Sequence, residues 1–240
     1  MSSRTNTRTT SVSYGKDKEK VTKLPSPEDE LASMKEVREI VGHPKERTSK
    51  KILNELDETS MEFIRRSPFL VLATADDRGF PDVSPKGDHP GFVHVLDRQT
   101  LLIPERRGNK LAFGLQNILL NPRVAVIFLL PGTGETLRVT GTAGISANKA
   151  VLESLADSRG KPAVLAIRVA IDHCYFHCAK AILRSSLWDS DYTADPLPIS
   201  FGKIIAQQIA MESKGNEQID MSEIALRIDE DVEEGYRSRL

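Results

Sequence analysis

Hydrophobic and polar positions alternate along most of the middle of the chain with a period near two, and near its ends with a period near 3.6. Phe69 to Thr74 is a short apolar run, and Phe80 to Lys86 answers it across Ala75-Asp76-Asp77-Arg78-Gly79, a turn of the composition Asp and Gly favour. A hairpin over 69–86 is the direct expectation. Phe92 to Leu96 and Thr100 to Ile103 form a second pair around Asp97-Arg98-Gln99. Val124 to Leu130 is nearly continuous apolar, as a strand covered on both faces would be. Glu135 to Ile145 alternates, and Gly141 and Gly144 in it mark a bulge or a barrel corner. Ala163 to Phe176 reads as one long strand kinked midway.

The helical period appears between and around these strands. Ser33 to Ile40 predicts a short helix broken near Gly42 and Pro44. Lys45 to Arg66 predicts a longer one, with Ile52, Leu56 and Phe63 near one stripe, Leu53 and Ile64 widening it, and Pro68 as its stop. Lys110 to Leu120 places Leu111, Leu115, Ile118 and Leu119 on one side. Ser146 is positioned to cap a helix running to about Leu155. Phe201 to Met211, with Ile204, Ile205 and Ile209, and Glu223 to Tyr236, with Ile224, Ile228 and Val232, read as two late helices.

Antiparallel strands with so few helices between them exclude a doubly wound sheet and predict a mainly β fold with flanking helices, a closed or split barrel. Three regions follow: a polar N-terminal arm over 1–44 with a short helix, a barrel domain over 45–196, and a helical extension over 197–240. Residues 1–30 are rich in Ser, Thr and charge, which predicts disorder or an arm laid over a partner subunit.

Composition narrows the function. Lys plus Arg is 33 and Asp plus Glu is 34 in 240 residues, a formal net charge of -1. That balance advertises neither a nucleic-acid nor a membrane partner. No apolar run approaches the ~20 residues that span a bilayer, and the first thirty residues hold no apolar signal segment. Two cysteines make no disulfide framework, so the expected setting is a reducing, cytoplasmic one.

The residues with the most chemistry lie in DVSPKGD (82–88) and LLIPERRGN (101–109). On an extended backbone Asp82, Ser84 and Lys86 share a face. Arg106, Arg107, Asn109 and Lys110 gather positive charge and amide donors before a predicted helix. A phosphate-bearing ligand is held by this combination of Lys point charge, forked Arg donors and backbone N–H groups at a helix start. The same spacing also fits a solvent-facing turn followed by a basic loop, and Arg106 is the member of the group expected to face solvent. His89 and His94 flank the first motif, where an imidazole is suited to binding substrate or donating a proton. His173, Cys174, His177 and Cys178 are ligand types for zinc. On an extended backbone, however, the two His face one side and the two Cys the other, so no metal site is expected and the Cys are read as small buried side chains.

These motifs, with SPFLVLATADDRG (67–79), ILLNPRVAVIFLLPGTGETLRVTGTAGI (118–145) and FHCAKAILRSSLW (176–188), resemble the pyridoxamine 5'-phosphate oxidase-like superfamily over about half of the 240 residues. The resemblance implies an FMN-binding split β-barrel that acts as a homodimer, with FMN at the subunit interface. It places Lys86 on the FMN phosphate with Ser84 beside it, and Arg107, Asn109 and Lys110 in the second phosphate element. Ile103, with Pro104, becomes an apolar wall for the ring. Lys180, Arg184 and Trp188 are expected to approach the flavin from the partner subunit. His89 and His177 are assigned to substrate. The implied activity is FMN-dependent oxidoreduction of an unidentified small molecule. A non-catalytic flavin- or haem-binding protein, or a deazaflavin-dependent reductase, on the same fold is the alternative. The oxidase itself carries Arg-x-Val-Leu-Leu-Lys where this chain has Asp82-Val-Ser-Pro-Lys86, and its C-terminal substrate signature is not recognised here. Both departures point away from pyridoxamine phosphate oxidation.

Overall fold

A computed structural model of the protein describes residues 26, 28, 30–189, 196–212 and 220–239. The expected N-terminal arm therefore lies largely outside the described residues. The chain divides into two compact units, 1–48 and 49–240.

In the first unit α1 (Met34–Val41) begins at a capping box. Ser33 Oγ accepts from the Glu36 backbone N–H at 3.3 Å, and Glu36 Oε2 accepts from Ser33 N–H at 3.0 Å. Gly42, at φ 74°, ends the helix by donating its N–H to the Arg38 carbonyl, close to where the sequence stops it.

The helix expected over 45–66 is two helices. α2 (Glu46–Ser49) is a single turn, and α3 (Glu58–Arg66) starts at Asp57, whose side chain accepts from Ser60 N–H at 2.7 Å. Between them Leu53 exchanges both backbone hydrogen bonds with Cys174, at 2.9 and 2.8 Å, and Leu56 N–H donates to the Arg98 carbonyl. Pairing with the barrel outweighs helical propensity here and delivers Leu56, fully buried, into the core. α3 follows with Phe63 and Ile64 on the same core.

Seven strands form one antiparallel sheet: β1 (Phe69–Ala75), β2 (Pro81–Gly87), β3 (His94–Asp97), β4 (Thr100–Glu105), β5 (Arg123–Leu129), β6 (Thr136–Ser146) and β7 (Leu165–His177). Their order is β2-β1-β5-β6-β7-β4-β3, which leaves β2 and β3 as the edges. Both expected hairpins are present as β1–β2 and β3–β4. Leu70, Leu72, Leu101, Ile103, Val126, Phe128, Leu137, Val139, Ile167 and Val169 point inward and form the main core. β5 is not covered on both faces as expected: Val124, Val126 and Phe128 are buried, while Ala125, Ile127 and Leu129 are half-exposed. The doubly covered strand is β4, whose Leu101 and Ile103 face the barrel while Leu102 packs under α5 (Lys149–Ser154) in a second cluster. That helix is capped by Asn148, which accepts from Val151 N–H, rather than by Ser146.

Of the two glycines in β6, Gly141 marks a bulge, as read from the sequence, while Gly144 pairs regularly with Arg168. The β6–β7 register runs Thr140↔His173 and then Gly141↔Ile171, leaving Asp172 as the extra residue. A Cβ on Gly141 would come within 2.1 Å of the Ala170 carbonyl oxygen, so only glycine lets the strands approach here. α4 (Phe113–Leu120) starts three residues later than expected, because Lys110 and Ala112 have φ of 65° and 56°. Only Ile118 of it is buried, while Leu111 and Leu119 are exposed. α6 (Lys180–Ser185) follows β7, and α7 (Phe201–Glu212) and α8 (Met221–Arg239) pack on each other. In α7 the buried positions are Gly202 and Ala206, while Ile204 and Ile205 are exposed. Among the described residues no helix is long and apolar enough to cross a membrane.

Gly141→Ala is expected to lower stability by about 1–3 kcal/mol through overpacking, measured as a shift in urea midpoint at unchanged slope. Gly108→Ala, where a Cβ would meet nothing within 4 Å, is the control and should leave the midpoint in place.

Candidate functional site

Edge strand β2 carries Asp82, Ser84 and Lys86 on one face and Val83, Pro85 and Gly87, exposed, on the other. The polar set lies on the inward side, in register with Thr74, Leu72 and Leu70 of β1. α4 is seated over this edge. Asn117 Nδ2 donates to Thr74 Oγ1 at 3.1 Å, and the Cβ position of Gly114 is 3.8 Å from both Ser84 Oγ and Thr74 Oγ1. The first turn of α4 therefore meets the middle of the DVSPKGD motif. That turn has no side-chain cap, so its leading N–H groups keep the donor capacity that suits an anion. Arg107, Asn109 and Lys110 lie exposed in the loop ahead of it. Asn109 Oδ1 accepts from Leu111 N–H at 3.0 Å, which folds the loop back on itself.

Lys86 and Arg106 are engaged by acids that the sequence reading passed over. Lys86 Nζ donates to Glu105 Oε2 at 2.6 Å, with the two side chains 15% and 20% exposed. Arg106 Nε donates to Asp88 Oδ2 at 2.8 Å, and its Nη1 donates to the Leu155 carbonyl at 2.8 Å. The expectation that Arg106 faces solvent is thus corrected: a carboxylate and a carbonyl hold it against α5. The signal available in the sequence was that each base stands close to an acid, Lys86 near Asp88 and Arg106 beside Glu105, but which pairs with which is decided across the barrel.

Ile103 is fully buried in the barrel core, and Pro104 is buried beside it. Lys180 and Arg184 lie on α6. Trp188 is 37% exposed and donates its Nε1–H to the Thr133 carbonyl at 2.8 Å, which ties the end of that segment to the β5–β6 turn. Among the described residues no hydrogen bond or ion pair joins Lys180, Arg184 or Trp188 to the Lys86 group. His89 is exposed, its backbone N–H donating to Asp88 Oδ1, while His177 ends β7 opposite Thr136. The two imidazoles assigned to substrate are not brought together by any described contact.

Cys174 is fully buried and lies 3.3 Å from the Glu55 carbonyl, as a small core side chain; Cys178 is exposed, which corrects its reading as buried. Burial, with Asp57 adding a smaller effect, pushes the Cys174 thiol above its ordinary value, so it is poorly suited to nucleophilic work.

The bulge has a consequence on the outer face that no sequence signal beyond Gly141 announced. Asp172 and His173 both turn outward, into a groove of about 380 Å³ floored by Ala73 and Ala125 and bordered by Arg123 and Thr140. Arg123 pairs with Asp172 at 2.9 Å, and a His173 ring nitrogen lies 3.0 Å from Thr140 Oγ1.

With this geometry in place, the profile of the family described as pyridoxamine 5'-phosphate oxidase matches residues 56–178, more than half of the 240. The chain belongs to the pyridoxamine 5'-phosphate oxidase family. The matched segment begins at Leu56 and ends just after β7, so the family unit is the barrel with α3, α4 and α5. Among solved structures, HupZ of Group A Streptococcus is 18% identical with a TM-score of 0.41, over 50% of this chain and 93% of that one. A protein of Clostridium acetobutylicum related to general stress protein 26 is 15% identical with a TM-score of 0.39, over 51% and 91%. HutZ, the haem storage protein of Vibrio cholerae, is 17% identical with a TM-score of 0.36, over 51% and 94%. No curated protein matches the chain.

The His177 imidazole is held below its ordinary value, first by burial and then by Arg138 and Lys51. The folded protein thus binds this proton less readily than the unfolded chain. The resulting contribution to stability is complete above the unfolded value near 6.5 and is lost as pH falls through the lower folded value. Denaturation midpoints of wild type and His177→Gln should converge as pH is lowered from 8 toward 5, wild type losing more. Parallel pH profiles would remove His177 as a contributor.

Proposed function

We propose that the protein is an FMN-dependent oxidoreductase acting on a small molecule as a homodimer. The observation that carries the reading is the uncapped first turn of α4 lying against Ser84, in a chain whose family match spans the same elements. An uncapped helix start, the Ser84 hydroxyl and the ammonium of Lys86 form a donor set for a phosphate monoester, and Arg107 and Lys110 add charge at its mouth. These residues fit the phosphate end of FMN. The positive φ of Lys110 and Ala112 is uncommon for non-glycine residues, and strain of this kind gathers at ligand-binding loops.

Bound there, FMN would supply the hydride or electron transfer. The chain's own work is binding and placement. Ser84 orients a phosphate oxygen, Lys86 is shared between that oxygen and Glu105, and the apolar barrel wall under β2 keeps water from the inner side. Pyridoxamine phosphate itself is not the favoured substrate, because the Arg that opens the oxidase's Arg-x-Val-Leu-Leu-Lys strand is missing ahead of Lys86. Ile103, inside the core, would act from behind as packing. Lys180, Arg184 and Trp188 are assigned to the flavin of the partner subunit, and His89 and His177 to substrate.

Titration of apoprotein with FMN and riboflavin tests the reading. Lys86→Ala should weaken FMN by roughly 1.5–3 kcal/mol, the range for a hydrogen bond to a charged group, and riboflavin much less. Absence of flavin in the purified protein together with no binding on titration would sink the assignment. Equal losses for both ligands would return Lys86 to a structural role with Glu105.

A further inference from the structure

The outer face of β6 and β7 gathers positive charge around one aromatic ring, Tyr175. Arg138, its register partner on β6, donates from Nη1 to the Tyr175 hydroxyl at 3.2 Å and holds its guanidinium carbon 5.9 Å from the ring centre. Lys51 comes from the stretch between α2 and α3, drawn to this end of β7 by the Leu53–Cys174 backbone pair. Its Nζ stands 5.3 Å from the same ring centre. His177 follows Tyr175 by two residues, on the same side of the strand, and is half-buried. His173 stacks on the ring from the other direction, at 6.4 Å with the planes 12° apart. The two cations thus share one aromatic platform, fixed on a strand pair rather than on a loop.

No acid balances this cluster among the described residues. Arg138 donates to a phenol oxygen, not to a carboxylate. Asp172 is already paired with Arg123. Glu135, just ahead of β6, is exposed, and no described ion pair joins it to Arg138 or Lys51. Thr136 stands opposite His177 in the register, and Lys180, at the start of α6, is a further exposed base nearby in the chain. His177 is held below its ordinary proton affinity by burial first, then by Arg138 and Lys51. Both charges that reach it are therefore positive. Like charges held beside a half-buried imidazole disfavour its protonation, and an anion seated among them reverses that.

We propose that Arg138, Lys51 and His177 form an oxyanion site around Tyr175, which takes a carboxylate or a phosphate-type group. The forked donors of Arg138, the ammonium of Lys51 and an imidazole N–H are the donor types such a group needs. The site is distinct from the Ser84–Lys86 group, whose side chains face inward on β2, whereas Arg138 and Tyr175 face outward. Binding and protonation are coupled here. A bound anion stabilises the imidazolium, and protonated His177 in turn holds the anion more tightly by the same factor. One further consequence rests on the flavin reading: with His177 assigned to substrate, the substrate is a small organic anion. The anion site itself stands without it.

The test follows the imidazole C–H signals of the full-length protein by NMR against pH, with His177 assigned through His177→Gln. Ionic strength is held constant while chloride is replaced by sulfate or by acetate. Sulfate stands in for phosphate because its charge does not change where histidine titrates, and acetate stands in for a carboxylate. The His177 midpoint should rise with one or both anions and saturate, and the bound anion should prefer the protonated form on the order of tenfold or more. Arg138→Gln and Lys51→Gln, both at exposed positions, should each remove most of the response, while Lys86→Ala should keep it. A response to sulfate alone assigns a phosphate-type group, and one to acetate a carboxylate. A midpoint indifferent to both anions, a response that never saturates, one undiminished in Arg138→Gln, or one lost in Lys86→Ala would each overturn the proposal. The wild-type titration decides even where a variant fails to fold. No readout involves flavin, so a His177 response without FMN binding keeps this site and drops the flavin reading, and the reverse drops this site alone.

Discussion

An antiparallel sheet has two edges, each a row of unpaired backbone groups, and this protein brings one edge near the opposite end of the sheet without a hydrogen-bonded ladder between them. Four strands separate β2 from β4 in the sheet order, yet Lys86 meets Glu105 and Asp88 meets Arg106. Two adjacent ion pairs, each part-shielded from water, span the split of the barrel. Their strength comes from charge-assisted hydrogen bonds in a half-buried setting, and their placement follows from the curl of the sheet. The edge strand they hold also bears Ser84, so the seam of the fold and the candidate anion site share β2, with Asp88 directly after it.

That coupling explains why the site is polar on its inner side. An edge strand of a split barrel cannot bury both faces, and its inward face opens at the split. Polar side chains are tolerated there because α4 covers them and supplies partners: Asn117 reaches Thr74, and Gly114 leaves room beside Ser84. A bulkier residue at Gly114 would press toward the two hydroxyls. The loop leading into α4 reaches this position through two left-handed residues, Lys110 and Ala112. Local backbone preference has yielded to where the helix must begin.

The Gly141 bulge is the second organising constraint. It lets β6 and β7 approach at their crossing and turns Asp172 and His173 to the same side. The long β7 strand therefore faces the core with Val169 and Ile171 before the bulge and with Cys174 after it. A uniform alternation would have sent Cys174 outward and broken its pairing with Leu53.

The chain's own pattern was enough for the hairpins, the bulge glycine, the helix ending at Gly42 and the mainly β class, because these depend on side-chain period and on residues with few backbone options. The shared face of Asp82, Ser84 and Lys86 was legible for the same reason: two residues per repeat fixes sidedness wherever a strand forms. What the sequence could not give is anything decided by non-local partners. The break between α2 and α3 depends on Cys174, more than a hundred positions away. Arg106 reads as a solvent-facing base until Asp88 and the Leu155 carbonyl are placed beside it. The apolar pattern of α7 names its isoleucines but not its contact with α8, which falls at Gly202 because so close a crossing admits no Cβ, while Ile204 and Ile205 stay exposed. Local periodicity determines which elements form and which way they face; only the packed arrangement of those elements decides which charges are paired, which apolar faces are left open, and where a helix start meets a hydroxyl.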